Sequence, residues 1–359
     1  IFSYKFVGYD MRTQIFIISL LLLFFHAGNA QTVLGATEEA RDLYAMARQY
    51  LQKGDYANSI MVYNQVIQLE PKNLIYRREL ANVYFLQGDL MRAERMVVPL
   101  LKADEADEET FQIACKVLSA KKKTDEAKEA INKGISKFPN SGLLYKEKGD
   151  FYTAQKKYAD ASKAWEKGIE KDPKYYMNYY NLSKVYFFTK NYLWAIYYGE
   201  MFVNMESFSS KSQEIKKIMY ESYKFFMAEL NNLALEGKNS RYDNPKDFET
   251  SLYKVYDNLR NVVTGGIHID NLIMLRTRFL LDWNKNFASK YPNELFDYQQ
   301  RLIQNGYFDA YNQWLFGRFD SEKQYNAWAQ THNTLMNKFD NHFRSNKLVP
   351  KDNQYYHDN

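Results

Sequence analysis

Apolar and polar positions follow a repeating helical pattern over much of the chain. Laid against itself at an offset of 34 residues, the sequence falls into five registers starting at Ala40, Leu74, Glu108, Gly142 and Tyr176, without insertion or deletion. In each register apolar residues at positions 4, 7, 8 and 11 form one helical stripe, and those at 20, 24, 27 and 28 form a second. Each register therefore predicts two helices. Position 8 is small or slender throughout (Ala47, Ala81, Cys115, Gly149, Ser183), and so is position 20 (Ser59, Ala93, Ala127, Ala161, Ala195). Small residues facing each other let two helices approach closely. Position 11 is Tyr50, Tyr84, Leu118, Tyr152 and Tyr186, and position 24 is Tyr63, Val97, Ile131 and Trp165 before it breaks to Gly199. Pro71, Pro139 and Pro173 stand at position 32, where they stop the second helix, and Glu105 and Ser207 are the departures. Gly54-Asp55 and Gly88-Asp89 supply turn chemistry between the helices, while Lys122-Lys123 and Lys156-Lys157 replace it in the third and fourth registers.

Beyond about Ser209 the period is lost but helical spacing continues. Ile215, Ile218, Met219, Phe225, Phe226, Leu230 and Leu233 form one stripe. Asn244-Pro245 reads as the start of a second helix that Gly265-Gly266 ends, and a third runs from about Asp270 to Tyr291-Pro292. Shorter helices are expected over 293–304 and 307–316, and Ser321 to Gln324 reads as a capping box before a last apolar stripe.

Gly149-Asp150-Phe151-Tyr152, followed by Ala161, Trp165 and Pro173, resembles the tetratricopeptide repeat, and the resemblance covers about 170 residues. It implies an all-α chain: a right-handed superhelical solenoid of five helix-turn-helix repeats followed by a helical C-terminal region. It also implies protein or peptide recognition without built-in chemistry. In this family positions 2, 5, 9, 12 and 13 of each first helix line the groove. Applied to this sequence, they give Tyr44, Arg48, Arg78, Asn82, Phe85, Gln112, Lys116, Lys146, Tyr180, Lys184 and Phe187 as partner-binding residues. Arg48, Arg78, Lys116, Lys146 and Lys184 are then expected to form a basic ladder interrupted by Asp150, suited to an acidic peptide. The family's clamp for a chaperone C-terminus is incomplete. Arg78 and Asn82 fit its first pair, but Ile113 stands where Asn is needed, and Leu143 and Glu147 where cations are needed.

The implied layout is as follows: residues 1–10 are upstream or fragment sequence, 11–30 a signal peptide, 31–39 a linker, and 40–209 the repeats (40–73, 74–107, 108–141, 142–175 and 176–209). Residues 210–345 form a helical domain and 346–359 a polar tail. Export is read from Arg12, the apolar run Ile15 to Phe25, and the small residues Gly28 and Ala30 ahead of Gln31. That run is too short to span a bilayer, so the mature chain is expected to have no stable membrane insertion. A periplasmic or secreted protein of a Gram-negative bacterium, joined to an envelope complex, follows as the expectation.

Composition narrows the chemistry. The net charge of +5 is modest and its signs are interleaved, which makes no case for nucleic acid. Aromatic residues reach 17%, with Tyr175, Tyr176, Tyr179, Tyr180, Tyr186, Phe187, Phe188, Tyr192, Trp194, Tyr197 and Tyr198 crowded into the fifth register. These predict either packing against the first C-terminal helix or a partner surface, with sugar stacking a lesser alternative. The single cysteine, Cys115, reads as a small buried hydrophobe. The loop Gly265 to Asp270 brings His268 near a carboxylate but reads as a helix stop, and His332 and His342 are expected on different helix faces. No catalytic residue, metal site or cofactor is expected. The alternative to a scaffold is a C-terminal helical enzyme or glycan-binding domain, which converging carboxylates would favour.

Overall fold

The computed structural model describes residues 37–352, so the expected signal peptide and the end of the tail lie outside the described residues. The described residues contain helices and no strand. They divide into two compact units, up to Val83 and from Tyr84 onward.

In the first unit, α1 (Glu38–Gln52) and α2 (Tyr56–Leu69) form an antiparallel pair and α3 (Leu74–Gln87) begins. The expected linker ends earlier than read, because the Thr37 side chain accepts from Ala40 N and opens α1 at Glu38. Ala47 and Ser59 meet as positions 8 and 20: both are buried, and the Ser59 hydroxyl donates to Ala47 O at 2.9 Å. Asp55 caps α2 by accepting from Asn58 N at 3.1 Å.

The second unit takes in the end of α3 and continues with α4 (Leu90–Val97), which Pro99 diverts into a 3-10 turn over Val98–Lys102. Three helix pairs follow: α5 (Glu108–Ala120) with α6 (Thr124–Lys137), α7 (Gly142–Ala154) with α8 (Tyr158–Lys171), and α9 (Met177–Phe188) with α10 (Tyr192–Met205). The last pair uses the same small-residue seam with donor and acceptor exchanged: Ser183 donates to Ala195 O at 2.8 Å. Successive pairs are tied by buried polar bonds. Asn178 donates to Gly142 O at 3.1 Å, and Glu166 accepts from the hydroxyls of Tyr186 and Tyr198 at 2.7 and 3.1 Å.

One backbone feature repeats with the sequence period. Gly54, Gly88, Lys122, Lys156 and Lys190 all have positive φ, between 60° and 88°, and each sits 34 residues after the last. A left-handed residue turns the chain from the first helix of a pair into the second. Glycine takes this conformation freely, whereas the three lysines adopt it at a cost.

The C-terminal helices wrap the last pair. The longer ones are α11 (Ser210–Leu235), α12 (Phe248–Asn258), α13 (Ile269–Asn286), α14 (Glu294–Gln304), α15 (Phe308–Asn312), α16 (Glu322–Thr331) and α17 (Asn333–Ser345), with a single turn at Arg318–Asp320 before α16. Every residue from Leu193 to Asn204 in α10 is buried, as expected of a helix that is covered on all sides. One apolar cluster runs without a break from Ala161 to Leu348, so these helices share a core with the last pair. At position 24 of the last register, Gly199 makes room for α11: a Cβ there would lie 2.7 Å from Met219 and 3.1 Å from Ile215.

Three local readings change. The helix expected to open at Asn244-Pro245 starts at Phe248, because Asp247 and Thr250 form a reciprocal capping box. The capping box expected at Ser321 to Gln324 is reduced to its first half: the Ser321 hydroxyl accepts from Gln324 N at 3.3 Å, as expected of the cap, without the reciprocal side-chain bond. The stretch read as polar tail contributes Leu348 to the core, where it is 3% exposed, and Lys351 to an ion pair with Glu294.

Candidate functional site

A recess of about 390 Å³ opens between α7, α8 and α9 in the second unit. Its floor is made by Trp165, and the reason lies in α7. Gly149 has no side chain, so the indole settles against that helix and donates from Nε1 to Lys146 O at 3.0 Å. A Cβ on Gly149 would fall 2.1 Å from the indole nitrogen. Val185 and Thr153 form the sides, and Tyr158 and Phe188 face each other at the mouth with ring centroids 5.1 Å apart. Phe188 is 65% exposed. Asp150, Asn181 and Lys184 complete the rim.

The rim charges are already satisfied. Asp150 pairs with Lys146 at 2.5 Å and accepts from Asn181 at 2.8 Å. Lys184 pairs with Glu214 of α11 at 2.7 Å and donates to the Tyr180 hydroxyl at 3.1 Å, and that hydroxyl donates to Glu214 in turn. Partial burial pushes the Glu214 carboxyl up, yet the bonds from Lys184 and Tyr180 hold its pKa below the usual value. Deeper along the same face, Glu147 lies 4.0 Å from Lys116 and 3.9 Å from Lys146. Burial raises the Glu147 pKa despite these cations. The ladder expected to be interrupted by Asp150 alone therefore meets three carboxylates on this side: Glu147, Asp150 and Glu214. Gln112, Phe85 and Phe187 are half-buried and Tyr180 is buried.

In the first unit Arg78 is 3% exposed and pairs with Glu79 at 2.7 Å, so it is a packed residue rather than a free groove cation. Arg48 lies over the Tyr44 ring at 5.8 Å, and Tyr44 packs near Tyr63 and Tyr76. Asn82 is half-buried.

The other candidates resolve into packing. Cys115 is buried, and burial, with Glu147 nearby, pushes its thiol pKa up, the opposite of a nucleophile. His268 is the N-cap of α13: its backbone N–H donates to Asn271 at 2.9 Å, and the next N–H, of Ile269, donates to Asp320 at 3.0 Å. His332 is the turn residue between α16 and α17, and His342 lies in the last turn of α17. Between α10 and the C-terminal helices a cavity of about 20 Å³ adjoins Glu200, Arg276 and Gln299, enough for one water. Glu200 is its one lining carboxylate. It is bonded to Arg276, to Gln299 at 2.6 Å and to Tyr311 at 2.8 Å, so this is a satisfied buried ion pair. Among the described residues no group of three metal-ligating side chains comes together.

Most of the aromatic crowd in the fifth register is consumed by packing against α11 and its successors, while Tyr176 and Phe188 remain exposed. The recess itself was not legible from groove positions 5 and 9 alone. Asn181 and Trp165 lie at positions 6 and 24, whereas Asp150 and Lys184 at position 9, Thr153 at position 12 and Phe188 at position 13 were open to the family rule.

A family model described as TPR repeat matches residues 47–88. No curated protein sequence matches the chain. Among solved structures, a tetratricopeptide repeat protein from Parabacteroides merdae ATCC 43184 is 14% identical, over 73% of this chain and 97% of that one, with a TM-score of 0.38. PilW, a type IV pilus biogenesis factor, is 13% identical over 57% and 93%, with a TM-score of 0.44. A thermophilic TPR protein of Thermus thermophilus is 11% identical over 51% and 98%, with a TM-score of 0.44.

Proposed function

From the premise that the chain is a tetratricopeptide-repeat protein, we propose that it is a non-catalytic scaffold that holds a protein partner on the open face of α7 and α9. The recess over Trp165 carries this reading. It is concave, largely apolar and rimmed by a few polar groups, the make-up of a recognition pocket. It also lies on the side of the first helices that the repeat family uses for ligands. Site-specific photo-crosslinking tests it: a benzophenone amino acid at Phe188 should capture a partner in the native cell, whereas the same probe at exposed Lys128 of α6 should not. Equal capture from both positions would refute the reading.

Export to the cell envelope is the second part of the proposal, and it rests on Arg12, the Ile15 to Phe25 run and the small residues before Gln31. Mass spectrometry of the native protein should find Gln31 at its N-terminus, and recovery from the cytoplasm with Met11 retained would overturn it. Assembly into an envelope complex would then follow from whichever partner is captured.

A further inference from the structure

We infer that the recess between α7, α8 and α9 takes an extended peptide segment presenting an aromatic or large aliphatic side chain, and not an acidic tail. This deepens the proposed function and rests on that reading of the open face.

The charges decide between the two occupants. A row of cations invites an acidic ligand only if those cations are free, and here they are not. Asp150 is held by Lys146 and Asn181, and Lys184 by Glu214. Glu147 lies between Lys116 and Lys146. A carboxylate entering here must displace one already in place and would be repelled by the others, so exchange brings little gain. A neutral side chain breaks no pair.

The walls point the same way. Trp165, Val185, Tyr158 and Phe188 enclose about 390 Å³, within the roughly 300–1,000 Å³ usual for ligand pockets. Phe188 keeps 65% of its surface in water at the mouth, an apolar area that an inserted ring or leucine would cover. Rigid aromatic walls offer contact area at small entropic cost. The Asn181 carboxamide donates to Asp150 through its nitrogen, which leaves its carbonyl oxygen to accept a backbone N–H of the segment. A second aromatic group at the same turn, Tyr192 stacked on exposed Phe225 at 5.1 Å with Phe187 beside them, extends the apolar surface toward α11.

The test is selection of a random peptide phage library on the full mature chain, followed by fluorescence anisotropy with the enriched peptides. Enrichment in Trp, Phe, Tyr or Leu is expected, with affinity changing less than about threefold between low and high salt. Phe188→Ala, at an exposed position, should weaken binding about tenfold or more without moving the thermal midpoint. Thr153→Arg, which fills the recess from its side, should do the same. Enrichment in Asp or Glu with strong salt dependence would overturn this inference while leaving the partner face in place, as would apolar peptides indifferent to both variants. Failure to enrich any peptide would overturn the functional reading beneath it.

Discussion

Trp165 is where residue-scale energetics are most exposed to measurement. Its ring fills the seam between α7 and α8, 3% exposed, and its nitrogen is bonded to Lys146 O. Trp165→Ala should cost about 3–5 kcal/mol in denaturant unfolding. Gly149→Ala should cost about 1–3 kcal/mol by overpacking against the same ring. Because both effects act through one contact they should not add. In the Trp165→Ala background, Gly149→Ala should become neutral or stabilising, since alanine favours the helix. Additive losses would mean that the ring does not rest on Gly149. A second residue-scale expectation concerns Lys216, buried in α11 with its ammonium 3.1 Å from Trp314 O and 3.3 Å from the Trp314 ring centre. These contacts favour the charged form, but burial, with Arg318 nearby, lowers its pKa well below the usual value. The unfolded chain then binds a proton that the folded chain releases. Stability should therefore rise with pH between the lowered value and about 10.4, by up to about 1.4 kcal/mol per unit. Lys216→Met should stabilise the protein at pH 7 and flatten that slope in thermal melts. An unchanged slope would locate it in other groups.

At the scale of elements, the turns and seams set the rules. The left-handed turn residue is glycine in the first two pairs and lysine at 122, 156 and 190. The cap that follows is Asp55 or Asp89 in the glycine turns, whereas Lys157 offers α8 no side-chain bond. Restoring the pattern with Lys156→Gly and Lys157→Asp should relieve about 1 kcal/mol of backbone strain and add a cap of about 0.5–2 kcal/mol. The thermal midpoint should rise by several degrees, and no rise would mean that the glycine's greater freedom in the unfolded chain cancels the gain. Gly199 has the converse role. Its missing Cβ admits Met219 and Ile215, so Gly199→Ala should loosen α11. Faster amide exchange along 210–235 would report it, and exchange like that of the wild type would count against so close an approach.

For the molecule as a whole, the second unit has no dispensable end. The cluster from Ala161 to Leu348 is continuous, and α10 is covered by helices that come much later in the chain. Removing everything after Ser209 should uncover that helix. The truncated protein is expected to bind a hydrophobic dye and to self-associate in size-exclusion chromatography. A monomeric, cooperatively folding truncation would show that the C-terminal helices are a separate module.

How much of this could be read in advance follows from the range of the interactions. The helix pairs, their turns and the small-residue seams were legible because they are local: period, helical spacing and glycine or proline at fixed places act within a few residues and repeat at every 34. The C-terminal helices were legible as helices for the same reason, with one start misplaced where Asp247 outcompetes Asn244-Pro245 as a cap. Even the break at Gly199 was visible, though not its meaning. Only the tertiary structure decided which aromatics are walls and which are core, and that Arg78 is packed inside rather than presented. Only there does Lys116 find Glu147 and Lys184 find Glu214, whereas Asp150, one turn from Lys146 on the same helix, was already in view. These charge pairs and this burial depend on residues brought together across helices, from 30 positions apart for Lys184 and Glu214 to 76 for Glu200 and Arg276. A one-dimensional period carries no information about such pairs, because it fixes where each helix begins but not what comes to lie against it.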